Sequence, residues 1–149
     1  MLNLKELLRK DNILLNLQTT TKEGIIMEMI DHLVACGRIK NRNAALKAIL
    51  EREKKMSTGM QNGVAIPHGK TNSVPDLVTA LGVKPEGMNF ESMDGLPSRI
   101  FIMTLSPVNR TGPHVQFLSE ISRILENPDV REGIIRAPDA ETILKLLGL

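Results

Sequence analysis

The strongest constraint on how this chain folds is the stretch Ile100-Phe101-Ile102-Met103-Thr104-Leu105. A short, almost continuous apolar run bounded by turn residues reads as a strand. Here Asp94-Gly95 introduces it and Ser106-Pro107 closes it. Val64-Ala65-Ile66 is a second apolar run, the pattern of a strand covered on both faces. Leu77 to Val83 is a third strand candidate, and Ile13-Leu14-Leu15, with Leu17, a short fourth.

Helical patterns lie before, between and after these runs. LNLKELL predicts a short N-terminal helix. Thr20-Thr21-Lys22-Glu23 has the capping-box spacing, a hydroxyl followed three residues on by a carboxylate. Behind it Ile25, Ile26, Met29, Ile30, Leu33 and Val34 recur at helical spacing, and Gly37 supplies a stop. Asn41 can cap a second helix whose apolar face is Ala44, Ala45, Ala48 and Ile49 and which fades near Lys54. Pro113 suits the first position of a third, with His114, Phe117, Leu118, Ile121 and Leu125 on one face. Pro128 follows, and Pro138-Asp139 starts a last helix carrying Ile143, Leu144, Leu146 and Leu147. The expectation is one α/β domain over residues 1–149, a sandwich of helices on a sheet. Not every strand pair is joined by a helix, so a mixed parallel and antiparallel sheet is expected.

Composition narrows the function classes. Phe90, Phe101 and Phe117 are the only aromatics of this kind, with no Trp or Tyr, so the core must be aliphatic, with eight Met filling gaps. The same scarcity argues against single-stranded nucleic-acid binding, which relies on base stacking. A formal charge of +2 with scattered basic residues points to no nucleic-acid partner. A single cysteine, Cys36, excludes an intramolecular disulfide and any CxxC motif, and its neighbours Val34 and Ala35 suggest a buried core thiol. The charged start MLNLKELLRK is unlike a signal peptide, and no apolar run approaches the ~20 residues of a bilayer span. A cytoplasmic protein without membrane insertion is expected. The three histidines are too far apart in sequence for a metal motif, so neither metal nor cofactor is expected.

The chemistry concentrates in residues 57–69, STGMQNGVAIPHG. A polar, glycine-bearing loop runs into a short apolar strand that ends at His68, held between Pro67 and Gly69. Ligands of open α/β sheets bind outside that edge. A histidine can act as a covalent nucleophile, and an ordinary pKa of about 6.5 leaves it a lone pair at neutral pH. His68 is therefore the expected reactive centre. Taken alone, His114 reads equally as a core or helix-capping residue, Arg52 as one charge of a solvated helix end, and Thr58 and Asn62 as turn formers. His32, beside an apolar helix face, reads as structural.

STGMQNGVAIPHG closely resembles the phosphorylation-site signature of the fructose/mannitol-type enzyme IIA domains of the phosphoenolpyruvate-dependent sugar phosphotransferase system, a group that includes the nitrogen-regulatory IIA protein. MNFESMDGLPSRIFIMTLSP resembles the strand hairpin of that family, HVQFLSEISRIL its second-histidine helix, and Arg52-Glu53 an Arg-Glu pair common in it. The resemblance covers most of the chain. It implies a phosphotransferase component whose His68 takes a phosphoryl group from a small HPr-like phosphocarrier protein and passes it to an enzyme IIB domain. The alternative is a regulatory IIA protein whose partner binding is switched by phosphorylation. The family's second active-site histidine falls on His114 and its arginine on Arg52. A phosphoryl group needs positioning and charge stabilisation. Thr58, Asn62, Gly63 and Gly69 are then the expected phosphate-binding residues, and Arg52 offers a permanent forked cation. Two positions depart from the pattern. Gln61 stands where the family usually has Gly or Ala and would be strained at positive φ, and Pro113 replaces a frequent acidic residue.

Overall fold

A computed structural model describes residues 3–149. In chain order the elements are α1 (Leu4–Leu7), a 3-10 turn (Lys10–Asn12), β1 (Ile13–Leu14), α2 (Lys22–Ala35), α3 (Arg42–Lys55), β2 (Val64–Ala65), β3 (His68–Lys70), β4 (Val78–Met88), β5 (Ser98–Ser106), α4 (Thr111–Ile124), α5 (Pro128–Arg136) and α6 (Ala140–Leu146). The sheet runs β1-β4-β5-β2, with β3 also on β5. Strands β4 and β5 form an antiparallel hairpin, and every other pairing is parallel. The sheet is mixed and flanked by helices, as expected.

Strand β5 is the axis of the molecule, and its alternation divides the core. Phe101, Met103 and Leu105 pack with Ile25, Ile26, Met29, Ile30 and Leu33 of α2 and with Ala45 and Ile49 of α3. Ile100 and Ile102 pack on the other side with Phe117 and Ile121 of α4, Ile134 of α5 and Ile143 of α6. By the same alternation Thr104 belongs to the α4 side, where it is the one polar residue of the run.

Strands β2 and β3 share one register on β5: Val64 pairs with Ile100, Ala65 with Phe101 and, past Ile66-Pro67, His68 with Thr104. Residues 64–70 are thus one edge strand interrupted at Pro67. Proline has no N–H to donate, so it is tolerated where one side of the strand is unpaired. Its carbonyl still accepts from the Thr104 N–H at 3.1 Å. The apolar strand was expected to end at His68; pairing instead resumes there, which fixes the histidine backbone to β5.

Several helix ends differ from expectation. Thr21, not Thr20, caps α2, its hydroxyl accepting from the Gly24 N–H at 3.0 Å. Helix α4 starts at Thr111, two residues before Pro113; the proline is tolerated because the first-turn N–H groups have no partner within the helix. Helix α5, opened by Pro128 and capped by Asn127, is a separate helix that the sequence pattern does not single out. Asn41 caps α3 as expected. Cys36 is not a core thiol. It is half-buried at the end of α2, where its thiol donates to the Asp11 carbonyl at 3.3 Å and His32 Nε2 meets the same carbonyl at 2.7 Å.

Gly69 lies in β3 against the backbone of α3. A Cβ there would sit 2.8 Å from the Ala48 carbonyl carbon and 2.9 Å from the Ile49 nitrogen. Neither backbone can yield cheaply. Gly69→Ala is therefore expected to lower stability by about 1–3 kcal/mol, as overpacking does, readable as a shift in the urea midpoint at unchanged slope.

Candidate functional site

The edge strand, the last turn of α3 and the first turn of α4 converge on two imidazoles. The rings of His68 and His114 lie 5.4 Å apart between centroids, tilted by 56°. His68 is half-buried and its Nδ1 is 2.8 Å from the Ile66 carbonyl. A carbonyl only accepts, so Nδ1 carries the proton and Nε2 keeps a free lone pair. Burial pushes the His68 pKa down, and the charges of Arg52 and Lys70 push it the same way; the Ile66 carbonyl and Glu53 oppose them without prevailing. The ring is accordingly neutral at pH 7.

His114, 5% exposed, points from α4 onto the sheet, where its Nε2 and the Thr104 hydroxyl are 2.7 Å apart. Thr104 is also the β5 residue in register with His68, so one threonine stands behind both rings. Burial, then the neighbouring His68, then Lys70 lower the His114 pKa to about 4. This second imidazole is neutral as well.

Two basic side chains flank the pair. Arg52 Nη1 donates to the Met56 carbonyl at 2.8 Å. Lys70 Nζ donates to the Thr111 hydroxyl. Among the described residues neither is ion-paired with a carboxylate, and the charge of each reaches His68.

The loop leading to His68 is pinned from below. The Glu53 carboxylate, 8% exposed, holds Lys22 Nζ at 2.8 Å and accepts from the Thr58 N–H at 2.9 Å and the Thr58 hydroxyl at 2.5 Å. Burial pushes the Glu53 pKa up, but Lys22 and Thr58 together outweigh it and hold the carboxyl below its usual range. The Thr58 carbonyl in turn accepts from the Ile66 N–H at 3.0 Å. A continuous path thus runs from Lys22 through Glu53, Thr58 and Ile66 to Nδ1 of His68.

The loop residues expected to bind phosphate are placed differently from the histidines and Arg52. The Thr58 hydroxyl is engaged by Glu53. Asn62 (φ 63°) and Gly63 (φ 75°) form a tight left-handed turn, the geometry that favours Asn-Gly. The Asn62 N–H donates to Asp94, and the Gly63 carbonyl accepts from the N–H groups of Arg99 and Ile100. Gly69 is the close contact with α3 already described. Gln61 is not among the residues with positive φ, so the anticipated strain is absent. Glu53, Thr104 and Lys70 received no site role from the sequence. The signals were present: one polar residue inside an apolar run for Thr104, and a cation two residues from His68, on the same side of a strand, for Lys70.

Among the described residues no cluster of three or more His, Cys, Asp or Glu side chains is placed to hold a metal ion. No helix among them is long and apolar enough to cross a membrane.

Residues 6–148 match the family model described as phosphoenolpyruvate-dependent sugar phosphotransferase system, EIIA 2. The chain is 40% identical over 128 residues to the fructose-specific EIIA component of Haloferax volcanii, covering 86% of this chain and 83% of that protein. It is 34% identical to the fructose-specific EIIABC component of Bacillus subtilis over 147 residues, 99% of this chain but 23% of that protein. The nitrogen regulatory protein IIA-Ntr of Neisseria meningitidis superposes with a TM-score of 0.87 at 28% identity, over 95% of this chain and 97% of that one. IIAMtl of Escherichia coli, solved in complex with phosphorylated IIBMtl, superposes with a TM-score of 0.81 at 26% identity, over 95% of this chain and 96% of that one.

Proposed function

Because the chain belongs to the EIIA type 2 family of the phosphoenolpyruvate-dependent sugar phosphotransferase system, we propose that its phosphoryl-transfer role runs through a covalent intermediate on Nε2 of His68. The observation that carries this reading is the fixed tautomer: Ile66 holds Nδ1–H, leaving an unprotonated Nε2 beside a second neutral imidazole. The Nε2 lone pair attacks phosphorus on the phosphohistidine of an HPr-like carrier protein. The new N–P bond forms as the carrier's N–P bond breaks, and that electron pair returns to the carrier's imidazole. Nδ1–H stays on the Ile66 carbonyl throughout. Handing the group to an enzyme IIB domain repeats the step with IIB as nucleophile. A IIA–phospho-IIB complex is known for the E. coli relative. Phosphoryl oxygens carry spread negative charge, which positioned cations and donors stabilise. We assign that work to Arg52 and His114. Thr58, Asn62, Gly63 and Gly69 instead hold the loop and strand that aim His68. No cofactor is needed for transfer between protein side chains.

The test is incubation with phosphoenolpyruvate, the upstream phosphotransfer enzyme and the carrier. The expected product is an acid-labile phosphohistidine that is lost in His68→Ala; undiminished labelling of that variant overturns the assignment.

A regulatory reading has its own support. The nitrogen regulatory protein of Pseudomonas aeruginosa is 28% identical across 99% of this chain and 96% of its own length. On that reading the output is a partner bound in one phosphorylation state only. Pull-downs with His68→Asp and His68→Ala separate the two: capture of a IIB domain favours transport, and capture of a kinase or other regulator by one variant alone favours signalling.

A further inference from the structure

We propose that Lys70 is a phosphoryl-binding residue, whose ammonium leaves the Thr111 hydroxyl to hold the phosphoryl oxygens once His68 Nε2 is phosphorylated. This inference rests on the reading of His68 given above. Lys70 is two residues beyond His68 in β3, so both side chains leave the same side of the strand. Thr111 is three residues before His114 in α4, so those two share a helix face. Strand and helix are therefore joined by two adjacent rungs, the imidazole pair and the Lys70–Thr111 hydrogen bond.

The second rung pairs a full charge with a neutral group. Lys70 is exposed and is ion-paired with no carboxylate among the described residues. Its resting partner is a neutral hydroxyl. Exchanging that for an anionic oxygen adds a charge–charge attraction that a neutral hydroxyl does not offer. The two imidazoles add no charge, since both are neutral at pH 7. A phosphoryl group carries about −1.5 to −2 charges near pH 7, more than Arg52 alone can balance. Lys70 already reaches both rings, because its charge depresses proton binding at His68 and at His114. The lysine stem has four rotatable carbons, so the move from Thr111 needs no backbone change.

The experiment uses the intact chain as wild type, Lys70→Met, Lys70→Arg, His68→Ala and, as a control for net charge, Lys145→Met on the exposed side of α6. Each is phosphorylated from phosphoenolpyruvate through the upstream proteins. The labelling rate is measured, and the phosphoryl 31P resonance is titrated with pH. Lys70→Met is expected to label about tenfold more slowly, the usual effect of losing one bond to a charged group. Its phosphoryl titration should move to higher pH, because a nearby cation favours the dianion. Lys70→Arg should restore both readouts, and Lys145→Met should change neither. If Lys70→Met labels at the wild-type rate with an unshifted titration while His68→Ala stays unlabelled, Lys70 is only a strap to α4 and the inference fails alone. If His68→Ala labels normally, the reading of His68 fails and takes this inference with it.

Discussion

Glu53→Ala should unfold this protein more readily than any surface change, costing about 3–5 kcal/mol, the range for removing one partner of a buried ion pair. The wild-type carboxylate satisfies three donors at once: Lys22 Nζ and both the N–H and hydroxyl of Thr58. Thr58 is 2% exposed, so its orphaned N–H has no water to turn to. The damage also travels, because the Thr58 carbonyl holds Ile66 and the Ile66 carbonyl holds His68 Nδ1. Labelling of His68 should slow even in conditions where the variant remains folded. Lys22→Met isolates the electrostatic part. In the wild type the Glu53 pKa is depressed, so its contribution is complete above the ordinary carboxylate value of 4.5 and is lost as pH falls through the folded value. Without Lys22 only Thr58 opposes burial, so that pKa rises relative to the wild type and the group takes up its proton at a higher pH. The stability deficit of Lys22→Met relative to wild type should thus be large near pH 7 and shrink towards about pH 4. A deficit that ignores pH would mean that the lysine acts on the Phe90 ring, 5.2 Å from its ammonium, rather than on the Glu53 carboxylate.

What was legible in the sequence follows from how local each signal is. Strand β5 was readable because its apolar run is continuous, and α2 because five buried residues repeat at helical spacing. His68 was readable because Pro67 and Gly69 frame it. The hydrogen-bonding path beneath it was not. Lys22, Glu53, Thr58 and Ile66 lie on α2, α3, the loop and the edge strand, and only the fold brings these four together. Thr58 and Gly69 were read as oxygen binders for the same reason. Their residue types suit phosphate, but Thr58 is spent on Glu53 and Gly69 on the backbone of α3. Gln61 would have borne strain only at positive φ; the positive φ values fall instead on the next two residues, Asn62 and Gly63, which accept them readily. Helix α5 escaped because its apolar face is short and its start, Asn127-Pro128, reads as a turn when seen alone.

Stability should fall steeply in mild acid, and His114 should be the main cause. Its pKa drops from the ordinary 6.5 to about 4 on folding, a displacement equivalent to about 3 kcal/mol. The unfolded chain binds its proton first as pH falls, so the loss begins near 6.5, grows to about 4 and then levels off. His68, displaced in the same direction, adds to the slope. His114→Gln should flatten the profile between those limits even though it weakens the fold at pH 7, where the Thr104 hydroxyl loses its imidazole partner. Urea titrations across that range give the comparison; an equally steep slope in His114→Gln would place the effect elsewhere. The same electrostatics carries a functional consequence. In the resting protein His68 and Lys70 disfavour a proton on His114, whereas a phosphoryl dianion on His68 would favour one. Phosphorylation is therefore expected to raise the His114 pKa, turning a neutral neighbour into a partly cationic one while the group is held. A ring-proton NMR titration of the resting and phosphorylated forms reads this directly. An unmoved His114 would mean that Arg52 and Lys70 neutralise the phosphoryl charge without it.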